Sequence, residues 1–187
     1  MPRRLAALVV AAGALSSGCV STASAPPPSK AASPQRAELG WVERSPETGP
    51  ALVFRTHRFA VSERGWEADL EIENQTAVTW ELGTNPVAVE QSFGLMLFAT
   101  GTLEELERRN RAGELPGLRP ARSFTPPLPD RLGPRTRWRG NVSARGSLAA
   151  GRYARFVFGP LVARGDPPQG MPDQIIWITD HAYRLRP

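Results

Sequence analysis

Residues 66–73 read Trp66-Glu67-Ala68-Asp69-Leu70-Glu71-Ile72-Glu73. Trp66, Ala68, Leu70 and Ile72 occupy alternate positions, and acids fill the ones between. Successive side chains of a strand point to opposite faces, so the stretch predicts a β-strand with one buried and one wet face. Wound as a helix, it would scatter acids and apolar groups around every side, and no single surface could bury it. Asn74-Gln75-Thr76 supplies the turn that follows. The rest of the chain must therefore bring a second apolar layer to the Trp66–Ile72 row.

Strand signals continue on both sides. Leu52–Val61 predicts one or two opening strands, which turn through Glu63-Arg64-Gly65. Val78–Leu82 is the next, with Trp80 inward, and Phe93–Phe98 is apolar on both sides, as a strand covered by another layer must be. Arg135–Ser143 alternates again, with Thr136, Trp138 and Val142 inward and Arg135, Arg137, Arg139 and Asn141 outward. Arg155–Phe158, Gln174–Thr179 and Tyr183–Leu185 complete the series. About seven to eight short strands with regular turn signals predict an all-β, antiparallel β-sandwich.

One short helix interrupts the strands. Thr102-Leu103-Glu104-Glu105 is a capping-box pattern, Gly113 is a stop, and Leu103 and Leu106 are the apolar contacts. Glu104/Arg108, Glu105/Arg109 and Glu107/Arg111 stand four apart with the acid first, the order of a solvated, ion-paired face and not of a metal site. Residues 115–134 hold six prolines and read as a long extended crossing, barred from the middle of a sheet because proline has no ladder donor. The crossing either fills a gap in the core or offers an interaction surface built from Arg119, Arg122, Phe124 and Leu128.

Leu148, Gly151 and Tyr153, with the Tyr opening a strand, resemble the tyrosine corner of immunoglobulin-like sandwiches. The resemblance implies an immunoglobulin-like domain in which the Tyr153 hydroxyl bonds back to upstream backbone. Together with Leu132-Gly133-Pro134 and Trp138, the order of turns and strands over residues 51–159 is similar to bacterial secreted domains of the BsuPI-type proteinase-inhibitor group. The shared positions are core and turn positions, with Trp66, Leu70, Ile72, Trp138 and Tyr153 as structural residues. No reactive-site residue carries over.

The N-terminus has its own logic. Arg3 and Arg4 precede an apolar run from Leu5 to Leu15, too short to span a bilayer and suited to a signal peptide. Leu15-Ser16-Ser17-Gly18-Cys19 resembles the lipobox of bacterial lipoproteins, with Ser16 where Leu is usual. That resemblance implies cleavage before Cys19 and acylation of its thiol. Cys19 is the only cysteine, so an internal disulfide is impossible and lipidation removes a free thiol from an oxidising compartment. The expected organisation is a signal peptide at 1–18, a Pro/Ala/Ser-rich tether at 19–37, and the sandwich domain at 38–187.

Charge is polarised along the chain. Residues 38–114 carry seven Arg against fourteen acids, and residues 115–187 carry twelve Arg against four. The Arg residues mostly alternate with core positions, without the basic–aromatic interleaving of nucleic-acid modules, so no nucleic-acid partner is expected. An Arg-rich face would instead draw acidic partners, an anionic envelope polymer among them. There is no Gly-x-Ser-x-Gly elbow, no phosphate-cradling loop and no second Cys; no cofactor or metal is expected. His57 and His181 stand in no ligand-spaced motif.

These readings converge on a lipid-anchored, extracytoplasmic envelope protein, attached to a membrane through Cys19. Its domain is a non-catalytic binding or structural module whose partner is an unknown envelope protein or anionic polymer. Two alternatives stand: a secreted protease inhibitor acting through residues 115–134, and a hydrolase whose site assembles from dispersed residues such as His57 and Asp180.

Overall fold

A computed structural model describes residues 30–82 and 93–187. The signal peptide, Cys19 and the first part of the tether lie outside the described residues. The decisive stretch is strand β3 (Gly65–Asn74), and its Trp66, Ala68, Leu70 and Ile72 are all buried. It pairs antiparallel with β2 (Leu52–Ser62) on one side and β9 (Arg137–Arg145) on the other. With β1 (Gln35–Ser45) beyond β2 and β7 (Ser123–Thr125) beyond β9, these form a five-stranded sheet.

The second sheet is built on β10 (Tyr153–Arg164), the longest strand. Its first half pairs with β5 (Gly94–Phe98) and its second half with β4 (Thr79–Glu81). The break between them falls at Gly159-Pro160, where proline offers no N–H to a ladder. The opposite edge of β10 carries β11 (Gln174–Ile178) and β12 (Tyr183–Arg184). Two-residue strands β6 (Arg119–Pro120) and β8 (Arg131–Leu132) extend β5 and β4 outward. The two antiparallel sheets pack through the row begun by β3: Phe54 lies tilted against Phe158 and Phe59 edge-on against Phe156, each pair with centroids 5.2 Å apart. Burying each such side chain stabilises the fold by about 1.5–3 kcal/mol.

The protein is thus an all-β sandwich with one short helix, but several expectations need correction. Twelve strands are present among the described residues instead of seven or eight, because β1 is additional to the expected series and the proline-rich crossing supplies three short ones. It runs from one sheet (β6) to the other (β7) and back (β8), always on an edge strand, as its prolines require. Strand β1 begins at Gln35, and Ala31 already bridges Ala149, so the described part of the expected 19–37 tether is tied to the domain. The tyrosine corner is not formed: the Tyr153 hydroxyl has no hydrogen-bond partner among the described residues. Its turn is tied instead by backbone bonds between Gly151 N and Leu185 O and between Leu185 N and Arg152 O.

Helix α1 (Leu103–Ala112) begins and ends where expected, with the Thr102 hydroxyl accepting from Glu105 N and Gly113 left-handed at φ 68°. The capping box is only half made. Glu105 pairs with Arg108 and Arg109 and not with the Thr102 amide, and Arg108 turns to Glu105 and Glu114 and not to Glu104. Leu106 is buried, whereas Leu103 is exposed.

Candidate functional site

The outer face of the five-stranded sheet collects the charge that the sequence had polarised. The acids Glu67, Asp69, Glu71 and Glu73 of β3 are flanked by Arg55, His57 and Arg58 on β2 and by Arg137 and Arg139 on β9. Arg55 bridges Glu71 at 3.0 Å and Glu73 at 2.7 Å, His57 Nε2 lies 2.9 Å from Glu71, and Arg58 pairs with Asp69 at 3.1 Å. A bulge between Thr56 and Arg58 turns His57 outward beside Arg58, giving β2 an additional group on this face. Glu71, expected in water, is only 5 % exposed under these cations. Hydrogen bonds from Gln75 and Arg55 hold the Glu73 carboxyl below the usual range. The two halves of the chain therefore interleave here as neutralising stripes and do not form one acidic and one basic face.

At one end of this sheet, arginines outnumber acids among the described residues. Where β1 begins, β2 meets β3 and β9 ends, an open groove of about 980 Å³ runs across the strands. Arg36, Arg64, Arg122 and Arg145 line it, with Glu67 as the only acid among the described lining residues; Ser62, Ser123 and Ser143 add hydroxyls. Ala60, Val61, Gly65, Trp66 and Ala144 make an apolar floor. The floor is tight: a Cβ on Gly65 would sit 2.1 Å from the Ala144 carbonyl oxygen, so only glycine lets β3 and β9 close here. Next to it, a second groove of about 430 Å³ is lined by Lys30, Arg184 and Arg186. Gln35 joins the two, lining the first and donating to and accepting from the Arg186 backbone.

Four guanidiniums, each a planar and permanently charged fork, suit phosphate or carboxylate oxygens. No motif announces the groove. Its cations come from four separate segments, and each taken alone looks like an ordinary solvated strand end.

The residues singled out from sequence fall elsewhere or only partly here. Arg122 lines the groove, but Arg119 lies on the neighbouring edge, its guanidinium 3.4 Å from the Ser147 carbonyl oxygen. Phe124 and Leu128 pack on the core, Phe124 against Phe93 and Trp138, and Trp138 Nε1 donates to Pro127 O at 3.1 Å. The crossing is thus mainly a core element.

His57 and Asp180 belong to separate clusters. His181 Nδ1 is 2.8 Å from Glu43, a buried carboxylate on β1 that also accepts from Trp177 Nε1 and from the Asp180 and His181 amides. Burial, with Glu43 nearby, pushes the Asp180 carboxyl up. Beside it, the fully buried Arg155 donates to the carbonyl oxygens of Thr179, Asp180, Gly101 and Thr102, and burial lowers its pKa. Each imidazole thus has a carboxylate, but among the described residues no hydroxyl or thiol is hydrogen-bonded to either ring. Nor is there, among the described residues, a group of His, Cys, Asp and Glu fit to hold a metal.

What the fold and groove define is a β-sandwich with a cationic cleft at one end. No protein-family model matches the chain, and neither a curated protein nor a solved structure matches it.

Proposed function

We propose that this is a lipid-anchored cell-envelope protein, held through Cys19, whose sandwich is a non-catalytic binding module for an anionic group. The observation that carries the binding half is the groove itself: Arg36, Arg64, Arg122 and Arg145 converge on an apolar floor with one acid, Glu67, among the described lining residues. Phosphate or carboxylate oxygens would take bidentate bonds from the guanidiniums, and the serine hydroxyls would supply neutral donors. The anchoring half is supported by the sequence around Cys19.

The alternatives lack such support. A protease-inhibiting loop would have to present Phe124 and Leu128, which pack inward. A hydrolase would need a nucleophile beside His57 or His181, and both imidazoles are engaged as links to Glu71 and Glu43.

Calorimetric titration with a short polyphosphate tests the groove. Arg64→Glu with Arg145→Glu is expected to weaken binding by about tenfold or more, and added salt to weaken it further. Absence of binding by the wild type, or equal binding by the double variant, contradicts the reading. Detergent-phase partition of wild type and Cys19→Ala tests the anchor; identical partition defeats it.

A further inference from the structure

We infer that the grooved end of the sandwich seats on the anionic headgroups of the bilayer that holds the chain, a step that rests on the anchor and the groove proposed above. The first argument is position. The chain joins the fold at this end: Ala31 bridges Ala149, Ala32 N donates to Leu148 O at 2.7 Å, and Gln35 lines the groove. Any tether from Cys19 therefore leaves from the cationic end and not from the opposite one.

The second argument is reach. Eleven residues lie from Val20 to Lys30. Fully extended they span at most about 40 Å, and as a flexible coil roughly 20 Å. The domain is thereby confined near a surface whose negative potential acts over a Debye length of about 8–10 Å.

The third argument is charge. To the four groove arginines the adjoining groove adds Lys30, Arg184 and Arg186, all exposed, and among the described residues lining the two grooves Glu67 is the one acid. At the far end the exposed acids Glu47, Asp130, Asp166 and Asp173 match the exposed Arg44, Arg131, Arg135 and Arg164. A tethered body with one cationic end and one balanced end orients with the cationic end toward an anionic leaflet. Acyl attachment and basic contacts then act as two signals on one membrane.

Every strand pairing and core contact described lies between Lys30 and Pro187, so a chain beginning at Val20 keeps the whole fold and carries no acyl group. Its flotation with vesicles, about one-third phosphatidylglycerol in phosphatidylcholine, tests the surface independently of Cys19. Expected is binding at least about tenfold stronger than to pure phosphatidylcholine at roughly 0.05 M salt, lost at roughly 0.5 M. Arg64→Glu, Arg145→Glu and Arg184→Glu together should abolish it, while Arg44→Glu with Arg131→Glu should not.

Equal flotation with both vesicle types overturns the inference, as does a triple variant that melts like wild type and floats equally well. Should the triple variant not fold, the lipid and salt dependence of the wild type decides. Binding of polyphosphate without flotation on anionic vesicles would also overturn it while leaving the groove an anion site. Failure with both ligands would remove the groove reading as well.

Discussion

Glu43 and His181 are linked across the two sheets: the carboxylate oxygen on β1 lies 2.8 Å from the imidazole Nδ1 in the β11–β12 turn. The same carboxylate takes Trp177 Nε1 at 2.7 Å and the backbone amides of Asp180 and His181 at 3.0 and 3.1 Å. His181 in turn stacks on Trp41, one strand position pair away on β1. One buried acid thereby fixes the open edge of the sandwich. Glu43→Ala leaves three N–H donors without their acceptor and should cost about 3 kcal/mol, read by urea denaturation. Glu43→Gln, which keeps an acceptor oxygen, should cost less.

Arg155 acts similarly between α1 and the same turn. Its guanidinium joins the Gly101 and Thr102 carbonyls at 2.9 and 2.8 Å to those of Thr179 and Asp180. Arg155→Met should lower stability by about 3 kcal/mol or more and free the start of the helix to exchange amide hydrogens faster. Arg155→Lys should rescue little, because an ammonium cannot serve two pairs of carbonyls as a planar fork does.

Much of this was legible in the sequence, and the parts that were not share a cause. The alternation in β3, the buried Trp80, the Phe93–Phe98 strand and the Thr102–Gly113 helix rest on local patterns, and local patterns carry the signal. Strand β1 alternates as strictly as β3, but its inward row includes Gln35, Ala37 and Glu43. A buried Glu43 becomes tolerable only through donors from Trp177, Asp180 and His181, more than a hundred residues on. Asn74 and Thr76 look like turn residues, yet both are buried: Asn74 donates to Val78, Leu132 and Gly133 carbonyls and accepts from Thr76, which takes the Trp80 indole N–H. The groove was illegible for the same reason, since it exists only where the ends of β1, β2, β3 and β9 meet.

Gly65 tests the close approach beneath the groove. Gly65→Ala places a methyl against the Ala144 carbonyl and should destabilise by about 1–3 kcal/mol, seen as a lower melting temperature. Gly113→Ala, with open space around the position but a left-handed backbone, should cost about 1 kcal/mol.

Glu81 predicts a pH dependence. The hydrogen bond from Arg164, with Arg131 also close, holds its carboxyl below the ordinary value. A carboxyl whose folded value is depressed contributes stability above the unfolded pKa of about 4.3, and loses it as pH falls through the folded value. Glu81→Gln should therefore be less stable than wild type at neutral pH, with the gap closing in strong acid, as followed by thermal melts across pH.

The most direct test of the central claim is nitrogen-15 chemical-shift mapping of the chain from Val20 with a short polyphosphate as probe. The account predicts salt-sensitive shifts concentrated on Arg36, Arg64, Gly65, Ser143 and Arg145. Shifts centred on the Glu43–His181 turn or on the 126–130 segment, or no shifts at millimolar probe, would contradict it.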